Sequence, residues 1–138
     1  MKRIKAPTAH GVKELNEFVC GEAGNLSGCY DLGKVESAIH TAFYPGSYPF
    51  AAGGITAIAA CLCFYLIKTH AFFDGNKRTA LLTAVTFLNL NGWDLRYPHN
   101  KTTGHNALAD VMEKCADGKV SKDELVDWFG NHKTRLRQ

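Results

Sequence analysis

No stretch of this 138-residue chain is apolar for long enough to cross a bilayer. The longest, Ile55 to Ile67, falls short of the roughly 20 residues that a spanning helix needs. Met1 to Lys5 is basic but has no apolar run behind it, so no secretory signal is expected. No long basic stripe appears, and the net charge is only +3, which argues against direct nucleic-acid binding. The Gly-x-x-x-x-Gly-Lys-Ser/Thr pattern is missing, which excludes a P-loop ATPase. Zinc spacing is missing too: Cys61-Leu62-Cys63 is too tight a pair. The five cysteines are an odd number; without a signal they indicate a reduced, cytoplasmic compartment and buried thiols acting as small hydrophobes. Internal repeats, low-complexity tracts and linkers are absent, so residues 1–138 read as one domain. Strand signals are almost absent. What remains is 46% hydrophobic and 21% charged, the make-up of a soluble globular protein able to bury a core.

The periodicity predicts helices. Val12 to Cys20 forms a first one, with Val12, Leu15, Phe18 and Val19 on one face. Asp31 opens a second that runs to about Phe43. Tyr44-Pro45-Gly46-Ser47-Tyr48-Pro49-Phe50 ends it in a loop or short hairpin, with two prolines and a glycine among aromatics. Ile55 to His70 is apolar almost all round, as a helix in the core would be. Asn76 to Asn91 is a further helix, stopped at Asn91-Gly92. Asn106 to Cys115 follows, and Ser121-Lys122-Asp123-Glu124 has the form of a capping box opening a last helix through Asn131. The fold class is mostly α, with at best one small hairpin near Pro45 to Phe50.

Between the two most regular helices lies His70-Ala71-Phe72-Phe73-Asp74-Gly75-Asn76-Lys77-Arg78. The first N–H groups of a helix lack partners within it, and with the helix dipole they make an anion site. Gly75 lets a phosphate approach the backbone, and Asn76 can turn the chain and offer its amide. Lys77 and Arg78 are cations at the end of the helix where the dipole disfavours them, which points to an anion that offsets them. Asp74 suits Mg²⁺, which takes one or two carboxylates plus substrate phosphates. His70 can accept a proton from an attacking hydroxyl at neutral pH. Phe72 is expected to enter the core and pin the loop. Taken singly, each residue has a plainer explanation: a C-terminal histidine favoured by the dipole, a helix cap, solvated cations. A fold does not need all four together around Gly-Asn.

This segment resembles the Fic/Doc family, and more closely its death-on-curing branch. The family pattern is His, any residue, Phe, any residue, Asp or Glu, Gly or Ala, Asn, Gly or Lys, Arg, and His70 to Arg78 matches it throughout. Thr79-Ala80-Leu81 also resembles that branch, and the likeness extends over Asp31 to Gly92. The resemblance implies a compact all-α helical bundle that transfers part of a nucleoside triphosphate such as ATP, with Mg²⁺, to a protein hydroxyl. By it His70 is the general base, Asp74 the metal ligand, and Gly75, Asn76, Lys77 and Arg78 the phosphate site. Pro45, Gly46, Ser47, Tyr48, Pro49 and Phe50 would be a flap that aligns a target segment by strand addition. Adenylyltransferases of the family usually carry Pro at the position of Ala71 and Gly at that of Lys77. Lys77 is similar to the toxin branch, which phosphorylates a translation factor, whereas Gly75 follows the adenylyltransferases. A lysine fills space where glycine leaves it, so the resemblance favours a toxin-type phosphotransferase, with adenylyl transfer as the alternative. The inhibitory pattern Ser/Thr-x-x-x-Glu-Gly/Asn does not occur, and Ser121 to Glu124 is one residue short of it; a separate antitoxin protein is expected.

Three further readings were weighed. Asp117 to Glu124 is similar to the back half of a calcium loop, but its front positions would be Glu113 and Cys115, and cysteine is a poor ligand for a hard cation. His99 and His105 flank a polar loop and read as surface histidines. An inactive module that only binds a partner would be expected to lack His70 or Asp74, and both are present.

Overall fold

The structure, a computed structural model, describes residues 4–44, 54–100 and 102–136. In chain order the elements are α1 (Ala9–Ala23), α2 (Leu32–Phe43), α3 (Gly54–Thr69), α4 (Asn76–Leu90), β1 (Trp93–Leu95), β2 (His99–Asn100), β3 (His105–Asn106), α5 (Ala107–Ala116), α6 (Lys122–His132) and β4 (Lys133–Arg135). Helices dominate, as expected. None of them is long and apolar enough to cross a membrane, among the described residues.

Helix α3 is the axis of the core. Thr56 to Cys63 is buried without a break, because α2, α4 and α6 pack on different sides of it. Ala57, Ala59 and Ala60 are small enough to let those neighbours approach, while Ile58 and Leu62 fill the space between. Burial pushes the Cys61, Cys63 and Cys115 thiols up and keeps them protonated. Four of the five cysteines are buried as expected; Cys29 is only partly so.

Side-chain caps set the starts of several helices. Thr8 caps α1 by accepting from Gly11 N–H, and Asp31 caps α2 by accepting from Gly33 N–H. At α6 the expected capping box is complete: Ser121 Oγ accepts from Glu124 N–H at 3.1 Å, and Glu124 Oε1 accepts from Ser121 N–H at 3.0 Å. That hydrogen bonding holds the Glu124 carboxyl below its ordinary value. A carboxyl depressed in the folded state stabilises above its unfolded pKa, and the contribution is lost as pH falls through the folded one. Glu124→Gln should therefore flatten the acid side of the stability profile, read as denaturant midpoints from neutral pH downward.

Two expectations need correction. Phe18 is not on the packed face of α1: it is exposed, and Asn16 is buried with Val12, Val19 and Cys20 instead. Each helical residue turns by roughly 100°, so Phe18 points away from the stripe that Val12, Asn16 and Val19 define. Short strands also form where none were read. β1 pairs antiparallel with β4, Trp93 opposite Arg135, and β2 pairs with β3, His99 opposite Asn106. These strands are two or three residues long, too short for alternation to register in sequence. Arg135 and Lys133 lie over the Trp93 ring, at 4.7 and 5.5 Å, which helps to hold the first pair. His99 and His105 are both at the surface, and His105 pairs with Asp110 at 3.0 Å. The expected hairpin and flap, Pro45 to Phe50, lie outside the described residues.

Candidate active site

The loop from α3 to α4 carries the segment singled out in the sequence. Helix α3 stops at Thr69, and His70 takes a left-handed φ of 46°, the only non-glycine to do so among the described residues. Histidine tolerates that region better than most side chains, but it is still a strained conformation. Ala71 and Phe72 then turn inward and are buried, so Phe72 pins the loop as expected. Phe73 and Asp74 point out. Gly75, at φ 72°, leads into α4, where a Cβ would lie 3.1 Å from Val19 Cγ1 and 3.4 Å from Asn16 Nδ2 and Cys20 Sγ. Glycine eases both the left-handed backbone and the close approach of α1 there.

Asn76 has a different task from the one expected. It is buried, its Oδ1 accepts from Phe72 N–H at 3.1 Å, and its Nδ2 donates to Phe72 C=O at 2.9 Å. The amide is thus committed to clamping the loop. Its Nδ2 also lies 3.5 Å from His70 Nε2. No side chain caps α4, which leaves its first N–H groups open for an anion.

Helix α1 and the loop behind it support this arrangement. Asn16 Nδ2 donates to Asp74 C=O at 2.8 Å and to Thr79 Oγ1 at 3.1 Å. Asn25 Nδ2 donates to Asp74 Oδ2 at 2.6 Å, and Asp74 Oδ1 accepts from Gly75 N–H at 2.8 Å. Sequence reasoning missed both asparagines. Asn16 had a readable signal, a polar residue four after Val12 and three before Val19 on an apolar stripe; Asn25 had none.

His70, Asp74, Gly75, Asn76, Lys77 and Arg78 all border one cleft of about 590 Å³, which Phe73, Ile67, Lys68 and Ala116 complete. Lys77 reaches across to α5, where its Nζ lies 2.7 Å from Glu113 Oε2. Glu113 therefore supplies the counter-charge that the sequence reading assigned to a bound anion alone. Lys68 Nζ donates to Cys115 C=O at the end of α5, 2.9 Å away. Each Asp74 oxygen accepts one hydrogen bond and keeps a further lone pair, so the carboxylate is chemically suited to Mg²⁺. Among the described residues no three His, Cys, Asp or Glu side chains converge into a cage. A cation here would draw its other ligands from phosphates and water.

Known proteins are similar to this chain in sequence. The curated protein named "Protein kinase doc", from Escherichia phage P1, is 32% identical over 107 residues, covering 75% of this chain and 76% of that protein. "Toxin Doc" from Mycolicibacterium smegmatis is 37% identical over 59 residues, covering 43% of this chain and 45% of that protein. A family model described as "Fic/DOC family" matches residues 8–88. That span runs from the cap of α1 to the last turn of α4 and so contains both the cleft loop and the helix that braces it; the chain belongs to the Fic/DOC family.

Proposed function

We propose that this chain is a toxin-type phosphotransferase. It moves the terminal phosphate of a nucleoside triphosphate, ATP foremost, to a Ser or Thr hydroxyl of a target protein such as a translation factor, and a separate antitoxin holds it in check. One observation carries the reading: His70, Asp74 and the uncapped start of α4 with Lys77 and Arg78 border a single cleft. The relative named as a protein kinase, matched over three quarters of this chain, supports phosphate over adenylyl transfer.

The chemistry follows from the residues. The open N–H groups of α4, with Lys77 and Arg78, hold the phosphates and disperse their charge. Asp74 is the residue that would hold Mg²⁺, which when bound neutralises charge on phosphate oxygens. The target hydroxyl oxygen forms a bond to the terminal phosphorus while the His70 imidazole takes its proton. The bond from that phosphorus to the bridging oxygen breaks, and the nucleoside diphosphate leaves with the electron pair.

Lys77 must exchange Glu113 for phosphate. Glu113→Gln is therefore expected to tighten ATP binding, by no more than about fivefold because both partners are half exposed and such pairs are weak. Calorimetric titration reads this directly; weaker binding would mean that Glu113 orients Lys77 for the phosphate.

The deciding experiment is mass spectrometry of translation factors and of whole lysate after incubation with the protein, Mg²⁺ and ATP. Phosphate on a Ser or Thr is the expected product. AMP on the hydroxyl, or no modification with any nucleoside triphosphate, overturns the reading.

A further inference from the structure

Two aromatic rings stand in water at the rim of the cleft. Tyr30 is 66% and Phe73 52% exposed, and they meet edge to face with centroids 4.5 Å apart. The pair is built into the backbone. Cys29 and Phe72 form an isolated antiparallel bridge, within which Tyr30 N–H donates to Ala71 C=O at 2.8 Å and Phe73 N–H to Gly28 C=O at 2.9 Å. Successive residues of an extended segment face opposite ways, so the bridge that buries Phe72 turns Phe73 out. Gly28 has no side chain because its Cβ would fall inside the Phe73 ring, so that ring lies on bare backbone. The core does not use either ring, and Phe73 borders the same cleft as His70, Asp74, Lys77 and Arg78.

We infer that Phe73, buttressed edge-on by Tyr30, forms a stacking platform for the base of the nucleoside triphosphate, an inference that rests on the nucleotide reading above. A triphosphate held at the start of α4 carries a planar aromatic group one ribose beyond its phosphates, and Phe73, with Tyr30 against it, offers a π surface on the border of that cleft. Hydrogen bonds hold the backbone that carries both rings, so binding orders only their side-chain torsions, which keeps the entropic cost small. Stacking reads the face of a base and not its edge, so the platform accepts all four bases with little discrimination.

Calorimetric titrations with ATP and with inorganic tripolyphosphate, each with Mg²⁺, test this on the wild type, Tyr30→Ala, Phe73→Ala and the double variant. The wild type should bind ATP about tenfold or more tightly than tripolyphosphate. The double variant should lose that advantage while its tripolyphosphate affinity stays unchanged. GTP, CTP and UTP should match ATP within a few-fold. Phe73→Leu, which keeps apolar bulk against Gly28 but has no π face, should behave like Phe73→Ala. Unchanged ATP affinity in the double variant overturns the platform, and if the KM for target protein rises instead, the rings seat the target. An equal loss for ATP and tripolyphosphate also overturns it, since the rings would then only shape the phosphate cradle. If the wild type binds neither compound, the nucleotide reading itself falls and the platform with it.

Discussion

His70→Ala is expected to slow phosphate transfer by roughly two to four orders of magnitude, the range a positioned general base supplies. On expression in a susceptible bacterium it should end growth arrest. The fold should survive, because the imidazole is exposed and its one contact is the 3.5 Å approach to Asn76. His70→Gly is the informative companion. Glycine relieves the left-handed backbone at this position, so that variant should melt at or above the wild-type temperature while being equally inactive. Separating stability from activity in this way distinguishes a strained base from a residue that merely ends a helix. Undiminished toxicity in His70→Ala would refute the assignment.

The second large effect is expected at Asn76. Asn76→Ala leaves both Phe72 N–H and Phe72 C=O buried without partners. Each such group costs about 1–3 kcal/mol, so the variant should lose about 2–6 kcal/mol in denaturant unfolding. Transfer should fall with it, because the loop that sets His70 against α4 loses its clamp. Asn76→Asp restores only the acceptor for Phe72 N–H and should recover part of the stability without the activity. A loss of activity with unchanged stability would mean that the amide contacts the nucleotide instead of the loop.

The nine-residue segment was legible because its chemistry is local. The proposed anion site is a helix start, the turn into it is a glycine, and the proposed base and carboxylate flank both within one loop. Three features were not legible, for one shared reason. Asn25 on Asp74, Glu113 on Lys77 and Gly28 beneath Phe73 are contacts between segments far apart in the chain, and periodicity reports on neighbours alone. Asn76 shows the same limit from the other side. Its presence after Gly75 was noted, but whether its amide faces a ligand or the preceding loop depends on how Phe72 is buried. Phe18 was misassigned because a large apolar residue near a stripe was counted as part of it, and only the packing of α1 on α4 reveals Asn16 in that place.

The pairing of β1 with β4 bears on when the protein becomes competent during its own synthesis. Trp93 meets Arg135, Arg96 N–H donates to His132 C=O at 2.7 Å, and Leu136 N–H to Gly92 C=O at 3.1 Å. Everything from β2 through α6 is enclosed between these two strands, and α6 is one of the walls around α3. A ribosome that has released α4 has therefore delivered the whole cleft loop but not the helix that buries the far side of its scaffold. The cleft loop is thus delivered before its scaffold, and its supporting core closes only once α6 has emerged and packed on α3.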